Sequence, residues 1–178
     1  VIDYGAFPQV SKRIKQEVLV NIGAYMTQYA AYMQTLGLET LEVRYRQQAS
    51  NALWLAERLR TVSGIAKVNY VGLEDNPFHE LANRQFGQTA GAMLTIDLAS
   101  KEECFRFLNN LKIIHRATNL FDNRTLAIHP ASTIFGLFPK RQLEQMDVRD
   151  TTIRLSVGLE DRQDLLSDIE QALESNEI

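Results

Sequence analysis

Apolar residues recur at helical spacing through the first third of the chain. From Glu17 to Leu36 this periodicity predicts one amphipathic helix, which Gly37 interrupts. A second series runs from Leu38 to Leu59 and ends before Gly64, a residue type that commonly follows the last turn of a helix. The pattern therefore predicts two long helices, of which the second could bridge two domains.

After Gly64 the pattern changes to short apolar runs separated by turn residues. The predicted strands are 65–71, 91–98, 112–116, 125–129 and 152–157. The predicted helices are 79–86, one that follows the Ser100-Lys101-Glu102-Glu103 capping box, and a last one at 165–173. This order predicts an α+β fold: long helices followed by a small sandwich with helices on one face of a mixed or antiparallel sheet.

The first residues, Val1-Ile2-Asp3-Tyr4-Gly5, are typical of a strand that runs into a turn. We therefore expect the chain to be the second part of a longer protein. It divides into 1–10, the last strand and turn of a preceding domain, 11–63, the interdomain helices, and 64–178, a small C-terminal domain. The long connection from Ala131 to Thr151 is a candidate for a functional segment.

The composition, with 45% hydrophobic and 23% charged residues and a net charge of −3, is that of a globular protein. Lys and Arg are scattered, so we expect no nucleic-acid partner, and no apolar run approaches the roughly 20 residues that cross a membrane. A lone Cys104 suits a reducing, cytoplasmic location and a buried structural role. The histidines lack the spacing of metal ligands, so no metal site is predicted; they are His79, His115 and His129.

Arg154 stands alone among apolar residues in the last predicted strand. Strand alternation directs Ile153 and Leu155 toward a core and directs Arg154 with Ser156 toward the other face. A charged residue at such a position ordinarily lies on the solvent-exposed face of a sheet. A guanidinium fixed on a strand is also a two-pronged donor suited to a carboxylate or phosphate, so both interpretations remain open.

Two long motifs carry a family resemblance. The segment Asn119-Leu120-Phe121-Asp122-Asn123-Arg124-Thr125-Leu126-Ala127-Ile128-His129-Pro130-Ala131-Ser132-Thr133 resembles the "S/N-L-G-D-x-x-T-L-x-x-H-P-A-S" segment of the Cys/Met-metabolism family of pyridoxal-phosphate enzymes. Ile153-Arg154-Leu155-Ser156-Val157-Gly158-Leu159-Glu160-Asp161 resembles its "V-R-L-S-V-G-L-E-D" signature. The segment 36–44 is similar to the start of its interdomain helix, and 164–173 to its closing helix. The resemblance covers nearly the whole chain in the family's order.

The resemblance implies the C-terminal part of a fold-type I enzyme with pyridoxal 5'-phosphate as cofactor. Arg154 matches the arginine that binds the α-carboxylate of the amino-acid substrate. Asn119 matches a Ser or Asn position beside the same carboxylate, where the backbone amide can donate. Ser132 and Thr133, which follow the His-Pro turn, are candidates for the wall of the site.

The chain departs from the family pattern in three places. Phe121 stands where the family has a small Gly, and Ile134-Phe135 replaces the family's "T-H", so both changes bear on substrate identity. The lysine that bonds to the cofactor lies in an "S-x-T-K" context upstream of the strand that Val1–Gly5 resembles, and no lysine here has that context. We therefore expect no catalytic residue in this chain, most cofactor contacts outside it, and no activity from it alone.

The function implied for the intact protein is γ-replacement on O-acetylhomoserine by sulfide or a thiol, in a homotetramer that acts on small amino acids. The alternatives within the family are cystathionine γ-lyase and methionine γ-lyase. Outside it, the chain could be a non-catalytic α+β domain that binds an amino acid through Arg154. A fourth alternative is a structural segment in which Arg154 is a surface residue.

Overall fold

The computed structural model describes residues 8–87 and 89–174. The strand and turn expected at Val1–Gly5 lie outside these residues. The chain divides into two compact units, Val1–Leu41 and Glu42–Ile178.

The first unit is helical. A continuous helical stretch consists of α1 (Pro8–Arg13), a π-helical segment (Ile14–Leu19) and α2 (Val20–Ile22). Gly23 ends this stretch because its φ of 67° lies in the left-handed region, which glycine adopts without strain. The single helix predicted from Glu17 to Leu36 is therefore wrong.

Helix α3 (Gln28–Glu39) is the second helix of this unit. It begins where the Thr27 hydroxyl accepts a hydrogen bond from the Ala30 amide at 3.2 Å, a normal N-cap. The predicted interruption at Gly37 is also wrong, since α3 continues through Gly37 and ends at Glu39. A single glycine lowers the stability of a helix by only about 1 kcal/mol, and the helix propensity of the residues around Gly37 outweighs this loss.

The second unit combines a five-stranded sheet with helices. Its elements are α4 (Leu41–Leu59), β1 (Lys67–Asn69), α5 (His79–Phe86), β2 (Met93–Asp97), α6 (Lys101–Asn110), β3 (His115–Arg116), β4 (Leu126–Ile128), a 3₁₀ turn (Pro130–Ser132), α7 (Lys140–Gln145), β5 (Thr152–Ser156) and α8 (Arg162–Glu174). The strand order is β1-β2-β5-β4-β3, and only β3 and β4 pair in parallel. The predicted α+β class and mixed sheet are confirmed. The strands are shorter than predicted, and α7, in the long connection, was not predicted.

One apolar core joins the sheet to three helices. Ile153 and Leu155 of β5 are fully buried in it, as strand alternation predicted. The helices contribute Ala52, Leu55, Ala56 and Leu59 from α4, Cys104, Phe107 and Leu108 from α6, and Leu165, Ile169 and Ala172 from α8. Helix α4 is thus part of the folded unit that carries the sheet.

Helix α6 contains the predicted capping box and the chain's single cysteine. The Ser100 hydroxyl accepts from the Glu103 amide at 3.2 Å, and the Glu103 carboxylate accepts from the Ala99 amide at 3.3 Å. Cys104 is fully buried, and burial, with a smaller contribution from Asp97, raises the pKa of its thiol to about 11. The thiol is therefore protonated near neutral pH and packs as a small apolar side chain.

A buried carboxylate connects α8 to the turn before β3. Asp168 accepts hydrogen bonds from three successive backbone amides, those of Lys112, Ile113 and Ile114, at 2.9, 3.0 and 2.9 Å. Its side chain is 3% exposed. These three amides lie outside helices and strands and so lack the acceptors that regular secondary structure provides. The Asp168 carboxylate is their acceptor instead.

We expect Asp168→Asn to lower the free energy of unfolding by about 2–4 kcal/mol, because an amide NH₂ would face donors that now have an acceptor. Glu170→Gln is the matched control: it also removes one negative charge from α8, at an exposed position, and should change stability by less than about 0.5 kcal/mol. Urea unfolding measures both. Equal effects of the two variants would contradict the structural role of Asp168.

Candidate functional site

A polar surface covers the sheet face opposite the core. Arg154 of β5 pairs with Thr95 of β2, and Thr95 in turn pairs with Asn69 of β1. The neighbouring row across the same three strands is Lys67, Asp97 and Thr152. The backbone therefore places Arg154 at the inner end of a polar row, in the middle strand of the sheet.

Arg154 is half-buried and only partly hydrogen-bonded. Its Nη2 donates to the carbonyl oxygens of Thr118 and Asn119, at 3.0 and 3.4 Å. Its Nε is buried and has no hydrogen-bond partner in the part of the chain that the structure describes. Burial lowers the pKa of Arg154, although a guanidinium stays charged near neutral pH. A buried donor without an acceptor costs about 1–3 kcal/mol, and an anion at this position would remove that cost.

The segment 118–125 that contacts Arg154 is fixed from two sides. From α4, the Gln48 side chain donates to the Asp122 carbonyl at 2.7 Å. From β5, the Ser156 hydroxyl accepts from the Phe121 amide at 3.2 Å. Ser156 does face away from the core like Arg154, yet it is buried because this segment covers it. The guanidinium thus has a rigid backbone partner, which limits its rotamers.

Asn119 lies directly against the guanidinium through its main chain. Its carbonyl accepts from Arg154, and its side-chain amide donates to the Asp122 carboxylate at 3.4 Å. Its backbone N–H makes no hydrogen bond to another described residue. Arg154 and Asn119 are therefore in contact although they are 35 positions apart. These are the two residues for which the sequence predicted substrate binding.

Phe121 occupies the turn beside Asn119 in an unusual conformation. Its φ of 54° lies in the left-handed region, where glycine is favoured and a bulky side chain is strained. This is the position where the family pattern has Gly. The ring stacks on Tyr45 of α4 at 5.9 Å between centroids, a contact that offsets part of the strain. The left-handed turn at position 121 is therefore formed with Phe in place of the Gly of the family pattern.

We expect Phe121→Gly to be more stable than Phe121→Ala by about 1 kcal/mol, because both lose the ring but only alanine keeps the strained Cβ. Leu120 is the control position, since it is exposed and has no positive φ. There the glycine variant should be equal to or less stable than the alanine variant. Thermal unfolding of the four proteins measures the difference. The same order at both positions would contradict the left-handed turn.

Ser132 and Thr133 make their hydrogen bonds within the turn that follows β4. The Ser132 hydroxyl lies 2.8 Å from Nδ1 of His129, and the Thr133 hydroxyl donates to the His129 carbonyl at 2.8 Å. Both residues are exposed. Their neighbours Pro130 and Phe135, rather than the two hydroxyl residues, line the cavity beside Arg154.

This cavity, of about 300 Å³, lies between the polar sheet face and the connection after β4. Arg154 and Thr95 form part of its polar floor. Its apolar wall comes from the connection and consists of Pro130, Ile134, Phe135, Met146 and Val148. Lys67, Asp97 and Asp147 also line the cavity. Where Arg154 lies beside the apolar wall, the cavity suits a ligand with a carboxylate and an apolar chain.

The chain belongs to a known family. The family model described as Cys/Met metabolism PLP-dependent enzyme matches residues 4–174. The chain is therefore a member of this pyridoxal-phosphate-dependent family, as the two motifs predicted.

Individual relatives agree with the family. The chain is 37% identical over 171 residues to O-acetyl-L-homoserine sulfhydrylase 1 of Thermus thermophilus, covering 94% of this chain and 41% of the relative. It is 38% identical over 155 residues to bovine cystathionine gamma-lyase, covering 87% of this chain and 38% of the relative. The chain thus spans about two fifths of the length of these relatives.

Two solved structures are similar to this one. A protein from Campylobacter jejuni assigned as O-acetylhomoserine (thiol)-lyase, which carries N'-pyridoxyl-lysine-5'-monophosphate, has a TM-score of 0.87 at 34% identity and matches 94% of this chain and 40% of its own. O-acetylhomoserine sulfhydrylase of Wolinella succinogenes has a TM-score of 0.76 at 38% identity and matches 96% of this chain and 45% of its own.

The donors of Arg154 suit a carboxylate better than a phosphate. Nη2 donates to two carbonyls, while Nε has no partner among the described residues, so the guanidinium keeps a buried donor for an oxygen of an anion. A phosphate dianion is usually held by several backbone amides at a helix N-terminus, and Arg154 is on a strand. We therefore do not assign Arg154 to the cofactor's phosphate.

No helix among the described residues is long and apolar enough to cross a membrane, and no cluster of three metal-ligating side chains occurs among them.

The sequence interpretation missed the residues that support the site. Gln48 and Asn51 of α4 are buried polar residues, and both donate to backbone carbonyls around the site. Their spacing of three along an apolar helix face was an available signal, because a buried amide needs a specific partner. His129, 1% exposed, was also missed.

Proposed function

We propose that this chain is the C-terminal part of a fold-type I enzyme that catalyses γ-replacement on O-acetylhomoserine by sulfide or a thiol. The observation that carries the proposal is the Arg154 guanidinium: it is hydrogen-bonded to the backbone of Thr118 and Asn119, and its buried Nε has no partner among the described residues. The sulfhydrylases among the relatives and the similar structures support this substrate class.

Within the intact enzyme, Arg154 binds and orients the α-carboxylate, and the Asn119 amide adds a second donor beside it. Holding one end of the substrate by charged hydrogen bonds fixes where its α and γ carbons lie. The cofactor, when bound, supplies the electron sink for proton removal. The lysine that bonds to it lies in the preceding part of the protein, so this chain alone is inactive.

The nearest alternative is a γ-lyase, because cystathionine gamma-lyase is as similar to the chain as the sulfhydrylases are. The test uses the intact protein with pyridoxal phosphate. O-acetyl-L-homoserine and sulfide should give homocysteine and acetate, while L-cystathionine and L-methionine should release little ammonia. Rapid ammonia release without sulfide incorporation would assign a γ-lyase instead. Amino-acid binding without either reaction would leave only the non-catalytic alternative.

The domain organisation and assembly follow the same proposal. We propose that residues 1–10 end the cofactor-binding domain, that helices within 11–63 connect it to the small domain, and that 64–178 form that domain, to whose core α4 of the connecting region contributes. Apolar side chains of the first unit are exposed, among them Ile22 at 73%, Tyr29 at 73% and Leu38 at 66%. Exposed apolar surface of this kind marks an interface, and we assign it to contacts within a cytoplasmic homotetramer.

A further inference from the structure

A single buried imidazole connects the two ends of the segment that walls the Arg154 cavity. His129 follows Ile128, the residue paired with Arg154 on β4. Its Nδ1 is 2.8 Å from the Ser132 hydroxyl, at the start of the connection. Its Nε2 is 2.8 Å from the carbonyl oxygen of Asp150, at the end of the connection. The same ring therefore fixes positions 132 and 150.

The protonation pattern of the ring follows from these partners. A carbonyl oxygen only accepts, so Nε2 carries the proton and donates to Asp150. Nδ1 shares a hydrogen bond with the Ser132 hydroxyl, which also lies 3.4 Å from the His129 carbonyl oxygen. The ring also packs against Phe105 of α6, at 5.1 Å between centroids, so it cannot swing away freely.

We call Ser132 and Asp150, the two residues hydrogen-bonded to the His129 ring, its anchors. The segment between the anchors provides the apolar wall of the cavity: Ile134 and Phe135 lie soon after Ser132, and Met146 and Val148 lie shortly before Asp150. Because β5 begins at Thr152, the second anchor also fixes where the strand that carries Arg154 starts. Loss of either anchor would let the wall move relative to the guanidinium.

We propose that His129 is a positioning residue for the carboxylate site: it sets the distance between the apolar wall and Arg154. This inference rests on the proposed function of Arg154. His129 is not among the residues that line the cavity, so in this proposal the ring acts through the connection, by way of Ser132 and Asp150.

Three substitutions separate the two anchors. His129→Asn keeps an acceptor near Nδ1 and loses the Asp150 bond, while His129→Gln keeps a donor near Nε2 and loses the Ser132 bond. His129→Phe loses both and keeps the packing against Phe105. Ser132→Ala removes the same bond as His129→Gln from the other side. His115→Gln is the control, since His115 is exposed on β3.

The measurement is the affinity of the intact pyridoxal-phosphate-loaded protein for L-norleucine, by calorimetry. Norleucine has the carboxylate and an apolar chain but no γ-leaving group. We expect His129→Phe, which loses both bonds, to raise Kd about tenfold. Ser132→Ala should show a smaller increase, His129→Gln an increase at least as large as that of Ser132→Ala because it also loses the packing against Phe105, and His115→Gln none. Hydrogen exchange should accelerate in 133–149 while α4 and α8 stay protected.

The outcomes separate this inference from the proposed function. If Arg154→Ala weakens norleucine binding and the folded His129 variants bind like the parent, His129 is merely structural and the inference fails alone. If Arg154→Ala does not weaken norleucine binding, the assignment of Arg154 to the carboxylate fails. The inference about His129 then fails too, because it rests on that assignment. A Kd of Ser132→Ala equal to that of the parent would contradict the role of the bond between Nδ1 and Ser132.

Discussion

Arg154→Ala should raise the KM of the intact enzyme for its amino-acid substrate about 30- to 1,000-fold, which corresponds to roughly 2–4 kcal/mol. The variant removes the charged partner of the α-carboxylate from a partly dehydrated position. Because the carboxylate is bound similarly throughout the reaction, KM should change more than kcat. Steady-state kinetics with O-acetyl-L-homoserine at saturating sulfide measures both constants.

Two further variants make the arginine result specific. Arg154→Lys keeps a positive charge but loses the planar fork and the bonds to Thr118 and Asn119, so it should recover only part of the affinity. Arg162→Ala removes an arginine that lies over Trp54 at 5.0 Å, outside the site, and should leave KM unchanged. An unchanged KM in Arg154→Ala would remove Arg154 from the substrate site.

Local patterns predicted the elements whose residues interact with near neighbours in sequence. The alternation of Ile153, Arg154 and Leu155 predicted β5 and its buried face, because side chains alternate along any strand. Helix ends were harder to predict. Gly23 and Gly37 are the same residue type, yet only Gly23 adopts a positive φ and ends a helix. That choice depends on context beyond the periodicity.

The site itself required information that periodicity does not contain. The bonds between Arg154 and residues 118–119 join segments that are not adjacent in sequence, so only the family resemblance could indicate them. The support from Gln48 reaches even further, across 74 positions. Long-range polar contacts depend on the register of the sheet and the placement of α4, which no local pattern specifies.

Gly158 shows how the fold and the site depend on each other. It follows β5, and a Cβ added there would lie 2.5 Å from the Asn123 carbonyl oxygen and 2.6 Å from the Arg124 carbonyl carbon. Its amide donates to the Thr125 hydroxyl at 2.8 Å, which donates in turn to Glu160 at 2.7 Å. Only glycine lets the segment 118–125 approach the end of β5 this closely.

We therefore expect Gly158→Ala to lower the free energy of unfolding by about 2–4 kcal/mol, since two of the three obstructing atoms are backbone and the third, a Glu160 carboxylate oxygen, is held by Thr125. The same methyl group displaces the segment that holds Arg154, so the variant that still folds should also bind norleucine more weakly. Gly37→Ala is the control: apart from the backbone of α3 itself, no atom of the described residues lies within 4 Å of the new Cβ in the last turn of this helix, and the variant should gain about 0.5–1 kcal/mol. Urea unfolding and calorimetry measure the two effects. A Gly158→Ala protein as stable as the parent would refute the close approach of the two backbones. A destabilised variant with unchanged norleucine affinity would show that the backbone contact at Gly158 stabilises the fold but does not position Arg154.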